Sequence, residues 1–302
     1  MTNAMSDFLT APGISHEECV AAYQHVADTF GFAPVIQPGR IQLLGWDLDY
    51  VCGPALANFI DQILIRRLDD FLPDNDRPVI LDCGANIGFG VLNYKRQFPK
   101  ARIVAFEPDP AFLPALRINL ERNGAADVQV VDAAVWIRSG DAPWFSEGID
   151  GSKIVANGET GQQSGLVRTI DFADSIRTEV DLVKLDIEGA EYEVVLRLAG
   201  KGKLSLLKNM IIECHLVQSN MGLFARMLQA LVDAGFQIGI NSMGQWRVLT
   251  RRPEVRPNHY GQYLAVSAWR RAVPSQAPAE HWCLPYVGIV QFLQERQLQQ
   301  AR

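Results

Sequence analysis

Hydrophobic positions along the chain change rhythm several times, and each rhythm predicts the kind of element that carries it. Over residues 16–30, Val20, Tyr23, Val26, Ala27 and Phe30 recur at helical spacing. Ser15 precedes them and Glu18 follows three residues later, the pattern of a capping box at a helix start. Residues 35–50 are richer in glycine and β-formers and read as a short hairpin, with Gly39 and Arg40 at the turn and Gly45 or Asp47 near its end. Gly53 and Pro54 then open a strongly amphipathic stretch over 55–71, in which Leu56, Phe59, Ile60, Ile63, Leu64, Leu68 and Phe71 share one helical face. The turn cluster Leu72-Pro73-Asp74-Asn75-Asp76 closes it.

From Val79 the pattern becomes strand, turn, helix, repeated: strands over 79–83, 102–106 and 128–131, helices over 88–97 and 109–122. Such alternation predicts a parallel sheet with helices on both faces. After Trp136 the rhythm breaks, and residues 139–165 read as an inserted loop or hairpin flanked by β-like runs at 143–145 and 166–170. It resumes with a strand over 181–186, a helix over 190–198, a strand over 209–213, a helix over 223–234 and strands over 235–241, 246–250 and 263–268, the last of them antiparallel. A Pro- and Ala-rich connector (273–285) and a polar-ended helix (287–300) follow. The expected organisation is an N-terminal cap (1–76), a main α/β domain (77–271) and a C-terminal connector and helix (272–302), with no internal repeat.

Composition narrows the partners. With 34 acidic and 28 basic residues in 302, and a formal charge of -6, the chain lacks the basic excess of a nucleic-acid surface. Cys19, Cys52, Cys83, Cys214 and Cys283 form no CxxC spacing and are odd in number, which fits a reducing cytoplasm better than a disulfide framework or a zinc site. The first residues carry no signal-peptide pattern, and no run reaches the roughly 18 apolar residues of a membrane span, so a cytoplasmic protein without a membrane span is expected. The N-terminal helices are a candidate homodimer surface.

Chemistry concentrates at the carboxyl ends of the predicted strands. The first strand runs into Asp82, then into the turn Gly84-Ala85-Asn86-Ile87-Gly88. A glycine-rich turn between a parallel strand and a helix lets a ligand approach the backbone closely. This turn departs from the GxGxxG of dinucleotide sites, and an Asp at its base suits a cationic group and repels a pyrophosphate. S-adenosylmethionine therefore fits better than a nicotinamide dinucleotide. Glu107 ends the second strand about 20 residues on, where a carboxylate accepts both ribose hydroxyls. Asp132 and the amide of Ala133 end the third, placed to read an adenine edge.

With these residues in view, the runs Leu81-Asp82-Cys83-Gly84-Ala85-Asn86-Ile87-Gly88, Phe106-Glu107-Pro108, Val183-Lys184-Leu185-Asp186-Ile187-Glu188-Gly189-Ala190-Glu191 and Ile212-Glu213-Cys214-His215 resemble the FkbM-type family of S-adenosylmethionine-dependent methyltransferases. The resemblance covers residues 79–269. It implies a Rossmann-like class I methyltransferase fold with a seven-stranded, mostly parallel sheet and a terminal antiparallel hairpin. It also implies O-methylation of a hydroxyl on a sugar, glycan or natural-product acceptor, with cofactor roles for Asp82, Gly84, Asn86, Glu107 and Asp132.

Methyl transfer to an alcohol is an in-line displacement that also requires loss of a proton. Asp186, Glu188 and His215 are the candidates at the reactive end, and Asp186 is also a candidate cofactor contact. His215 is the preferred base because an unperturbed imidazole titrates nearest neutrality. Asp186, Glu213 and His215 are an oxygen-and-imidazole set of the kind Mg²⁺ accepts, but no dense ligand motif accompanies them and no metal is expected. The competing readings are a nicotinamide-dependent oxidoreductase on a related sheet and a noncatalytic protein that keeps the cofactor pocket.

Overall fold

In a computed structural model, residues 13–33, 35–146, 152–155, 164–216, 218–242 and 262–270 are described. The strand expected over 246–250, the connector over 273–285, the helix over 287–300 and Cys283 lie outside them.

Apolar β-formers, buried on both faces, build the centre of a seven-stranded sheet. Its strands are β3 (Val79–Cys83), β4 (Arg102–Phe106), β5 (Gln129–Val131), β10 (Val180–Leu185), β11 (Leu207–Leu216), β12 (Gln237–Ser242) and β13 (Gln262–Trp269). Their order across the sheet is β12-β13-β11-β10-β3-β4-β5. Every residue of β10 is buried, as expected of a central parallel strand covered on both sides. β3 pairs in parallel with β10 and β4, while β13 runs antiparallel to both neighbours, β11 and β12. The order reverses between β3 and β10. Ligands of open α/β sheets bind at such a switch point, beyond the carboxyl ends of the strands.

Two apolar layers cover the sheet. Helices α1 (His16–Phe30), α2 (Ala55–Phe59), α3 (Phe89–Gln97) and α4 (Leu113–Arg122) contribute to one, α5 (Phe172–Ser175), α6 (Glu191–Gly200) and α7 (Met221–Asp233) to the other. The N-terminal cap shares the first core, with Val26, Leu48 and Ile60 packed in the same cluster as Ile80 and Leu116. Its helix α1 starts with the capping box read from Ser15 and Glu18.

Two features of the cap differ from expectation. The hairpin is β1 (Ile36–Leu43) paired with β2 (Trp46–Cys52), and its turn is Leu44-Gly45, with φ of 53° and 82°. Positive φ at both positions makes this a type I′ loop, and Gly45 meets that requirement without strain. Gly39 instead lies inside β1, where a Cβ would collide with the ring of Tyr50. The amphipathic stretch is helical only to Ile65, because α2 widens into a π-helical segment over Ile60–Ile65 and Arg67 then turns left-handed at φ 54°. Phe71 still reaches the core, edge-on to Tyr94 and Phe98. Its apolar spacing is satisfied without a helix.

Side-chain amides on α4 lash the hairpin to the main domain. Asn119 accepts from the Asp49 amide (2.7 Å) and donates to the carbonyls of Asp49 and Ile87 (2.9 Å each). Asn123, one turn later, repeats the exchange with Asp47. Arg96 lies 3.5 Å from the centroid of the Trp46 ring, a cation–π contact that adds to the attachment.

The insertion is broader than the 139–165 expected. Strands β6 (Ala134–Trp136), β7 (Gly140–Phe145), β8 (Lys153–Ile154) and β9 (Gly165–Asp171) form a separate four-stranded sheet in the order β6-β9-β7-β8.

Candidate functional site

The turn from β3 to α3 is shaped by three left-handed residues in five: Gly84 (φ 90°), Asn86 (φ 51°) and Gly88 (φ 86°). Glycine adopts this geometry without a steric penalty, and asparagine tolerates it better than most residues. At Gly84 the requirement is also one of space, because a Cβ there would overlap the carbonyl oxygen of Asp186 at the end of β10. The five amides of the turn are engaged within the chain. Gly84 and Ala85 donate to the Phe106 carbonyl (3.0 Å each), Asn86 to Glu107 Oε2 (2.8 Å), Ile87 to Asn86 Oδ1 (2.8 Å) and Gly88 to the Ala85 carbonyl (2.8 Å). A pyrophosphate needs such amides, so a dinucleotide finds no anion cradle here.

Glu107, at the end of β4, also accepts from the Asp109 amide through Oε1 (2.7 Å). Each carboxylate oxygen keeps acceptor capacity for a ligand hydroxyl. Burial pushes its pKa up to about 8, against the pull of the two amides. Asp109 is fully buried and accepts from Ser146 Oγ (2.6 Å) and Trp144 Nε1 (3.4 Å), so the insertion is fastened beside this strand end. Beyond β5, the Asp132 carboxylate is exposed, 4.0 Å from Arg117, and its carbonyl accepts from Arg168. The Ala133 amide already donates to the Val131 carbonyl (3.0 Å). Of the pair expected to read adenine, the Asp132 side chain is therefore the open member.

Asp82 is buried, 1% exposed, and the cation beside it belongs to the chain. Lys184 Nζ lies 3.8 Å from Asp82 Oδ1 and 3.3 Å from Asp186 Oδ2, bridging the ends of β3 and β10. Burial raises the Asp82 pKa, with Lys184 opposing it. Beside Lys184, a cavity of about 10 Å³ is lined by Asp69, Lys184 and Glu213 together with the apolar Leu68, Leu185, Ile211 and Ala265, room for roughly one water. Burial lifts Asp69 to about 7.

At the end of β11, His215 is 1% exposed and lies between carboxylates. Its Nδ1 is 2.9 Å from Glu191 Oε1, and its Nε2 is 3.2 Å from Glu188 Oε2 and 3.9 Å from Glu213 Oε1. Burial alone lowers an imidazole pKa, but Glu191 and Glu188 outweigh it and hold His215 well above the ordinary value. That direction favours the protonated ring, and each ring nitrogen has a carboxylate oxygen within reach. Glu188 is pushed up to about 7 by burial, with His215 pulling it down, and Glu213 is raised by burial and Asp186.

This geometry changes the part open to His215. The site does bring Asp186, Glu188 and His215 together, but His215 lies behind Glu188, with no ring nitrogen facing outward. Glu188 keeps 14% of its side chain exposed against 1% for His215, and its backbone is held at φ 57°, a rare conformation for a non-glycine residue and one that concentrates at functional sites. Glu191, which from sequence reads as an ordinary helix-start acid, is completely buried against His215. A pairing across 24 residues has no local sequence signal.

Ligand atoms of Asp186, Glu188 and His215 come within 4.8 Å of one another, compact enough for a divalent cation. His215 already meets a carboxylate at each ring nitrogen and Asp186 meets Lys184, so we assign no ion to the cluster. S-adenosylmethionine fits the residues present. Glu107 has acceptor capacity for ribose hydroxyls, and the occupied amides of the turn suit a ligand without phosphate. Carboxyl groups of Asp82, Asp186, Glu188, Glu191 and Glu213 gather around Lys184 and His215, a setting better suited to a sulfonium than to an anionic ligand.

Residues 82–238, more than half of the chain, match the family described as Methyltransferase FkbM domain. Methyltransferase 1 of Beauveria bassiana is 27% identical over 76% of this chain and 97% of its own length. Methyltransferase sdnD of Sordaria araneosa is 29% identical over 55% of this chain and 76% of its own. Among solved structures, M. jannaschii TYW2 in complex with AdoMet is a distant likeness, at 12% identity and a TM-score of 0.42 over 77% of this chain and 84% of that one. The matched segment begins at the Asp82 turn and holds Glu107, the carboxylates after β10 and His215, and the chain belongs to the FkbM family as an S-adenosylmethionine-dependent methyltransferase.

Proposed function

We propose that this methyltransferase acts on a hydroxyl of a small-molecule acceptor, a sugar, glycan or natural product, with Glu188 as the group that takes the proton. The observation that carries this reading is the Glu188–His215 contact of 3.2 Å, a partly exposed carboxylate against a buried imidazole, beside the strand end where Gly84 meets Asp186. When bound, S-adenosylmethionine supplies an electrophilic methyl group on a sulfonium. As the acceptor oxygen bonds to carbon and the sulfur–carbon bond breaks, the hydroxyl proton passes to a Glu188 carboxylate oxygen. A carboxylate with a pKa of about 7 is a stronger base than an ordinary glutamate, and a substantial part of it is still ionised at neutrality. His215 orients it and stabilises its charged form. Asp186, tied to Lys184, keeps its carboxylate directed along the same strand end.

The acceptor enters, in this reading, between the N-terminal cap, the insertion and the ends of β10 and β11. The wider setting is a reducing cytoplasm, supported by Cys19, Cys52, Cys83 and Cys214, all free and buried. A homodimer through the cap is supported by the exposed Phe32, Val35 and Ile36, and light scattering tests it. The catalytic claim is tested with Glu188→Gln on an acceptor identified by mass spectrometry with labelled cofactor. General-base removal is expected to lower kcat about a hundredfold or more, with cofactor affinity kept. A kcat within about threefold of the unmodified enzyme, less than 1 kcal/mol in barrier, removes Glu188 from the role.

A further inference from the structure

Glu191 sits three residues beyond Glu188, at the first position of α6, yet it is not a solvated helix-start acid. It is 0% exposed. One carboxylate oxygen, Oε1, gathers three contacts: the amide of Ile187 (3.1 Å), the amide of Gly189 (3.1 Å) and His215 Nδ1 (2.9 Å). The two amides flank Glu188, whose φ of 57° is otherwise strained. The ring it meets is the one whose other nitrogen faces Glu188. Glu191 thus reaches Glu188 by two routes, through the backbone on both sides of it and through the imidazole behind it.

We propose that Glu191 is a positioning residue for methyl transfer, holding Glu188 in its left-handed conformation and fixing His215 with a proton on Nδ1. A buried carboxylate on one imidazole nitrogen sets ring orientation and tautomer and stabilises the imidazolium. Its second oxygen, Oε2, is buried and makes no hydrogen bond. Leaving a carboxylate oxygen unsatisfied in the interior costs free energy. A neutral apolar residue would avoid that cost, so the retained charge is read as serving the His215 contact.

The inference rests on Glu188 acting at the reaction, and the test separates the two claims. Glu191→Gln keeps an oxygen for the two loop amides but removes the charge facing His215. Cofactor affinity measured by calorimetry is expected to stay within about threefold, while kcat falls at least tenfold, a KM-against-kcat split that general loss of structure does not produce. In ¹⁵N-histidine NMR the unmodified protein should show His215 protonated at Nδ1, and Glu191→Gln should lower its pKa by at least one unit. Among the described residues, the titratable groups near His215 that remain are Asp186, Glu188, Glu213 and Cys214, with the Tyr263 ring edge-on at 5.3 Å, and none of them is altered by the substitution. Unchanged kcat together with an unmoved His215 pKa overturns the proposal. The NMR of the unmodified protein decides even if the variant does not fold, because a neutral His215 protonated only at Nε2 also overturns it. Full activity in Glu188→Gln with loss in Glu191→Gln removes the base reading and leaves the positioning of His215 supported.

Discussion

Gly84 offers the sharpest test of how the cofactor turn is built. Substitution by alanine adds one methyl group at a site where φ is +90° and where that methyl would lie 3.0 Å from the carbonyl carbon of Asp186 and overlap its oxygen. A β-carbon in the left-handed region costs about 1–2 kcal/mol. Relieving the overlap requires the turn and the end of β10 to separate, although Leu185 is paired with Cys83 and the Asp186 amide donates to the Cys83 carbonyl at 3.0 Å. Overpacking of this kind adds about 1–3 kcal/mol, and losing the buried hydrogen bond about 1 kcal/mol. The sum is about 3–6 kcal/mol, a large fraction of a typical total of about 5–15 kcal/mol. Gly202 is the control, because its φ is +67° but a Cβ there meets nothing within 4 Å. Gly202→Ala should lose only the conformational part, about 1–2 kcal/mol. Urea unfolding of both variants measures the difference, and calorimetry should show the Gly84→Ala protein binding S-adenosylmethionine more weakly. If Gly84→Ala proves no less stable than Gly202→Ala, the contact between the turn and Asp186 does not constrain the site.

Glu107 predicts a pH dependence of cofactor binding. Its folded-state pKa is raised to about 8, so the carboxyl is mostly protonated at neutral pH, while accepting from two ribose hydroxyls favours the ionised form. Affinity should therefore rise between pH 6 and pH 8 and level off above, and Glu107→Gln should bind weakly without that slope; a dissociation constant constant from pH 6 to 9 contradicts the assignment. Asn119→Ala removes three hydrogen bonds, two to Asp49 in the cap and one to Ile87 in the cofactor turn. At about 1 kcal/mol each, the expected loss is about 2–4 kcal/mol in chemical denaturation, and a loss below about 1 kcal/mol shows that the cap is held mainly by its apolar core.

Periodicity and turn chemistry in the sequence were enough to place the central strands, because a parallel strand buried on both faces must be an apolar run and must end in polar residues at the ligand side. Asp82, Glu107, Asp132, Asp186 and His215 all follow from that rule, since knowing which residue ends a strand locates it at the carboxyl edge of the sheet. Depth and partnership do not follow from it. Lys184 alternates with Asp186 on one strand and reads as an ordinary polar neighbour until β10 lies beside β3 and brings it to Asp82. Glu191 and His215 are 24 residues apart, and only the packing of α6 against β11 places one carboxylate on an imidazole and on the backbone around Glu188. The same limit explains the cap. Apolar spacing through Phe71 is satisfied by a π-helical segment and a turn as well as by a helix, and the turn falls at Leu44-Gly45 because the register of β1 with β2 pairs Leu43 with Trp46. Sequence alone determined the sheet and the edge at which these acids and His215 gather, since both depend on local patterns of burial and chain reversal. Tertiary structure decided which acids are buried and which of them meet His215 and Lys184, because those relations depend on distances between elements that no local pattern encodes.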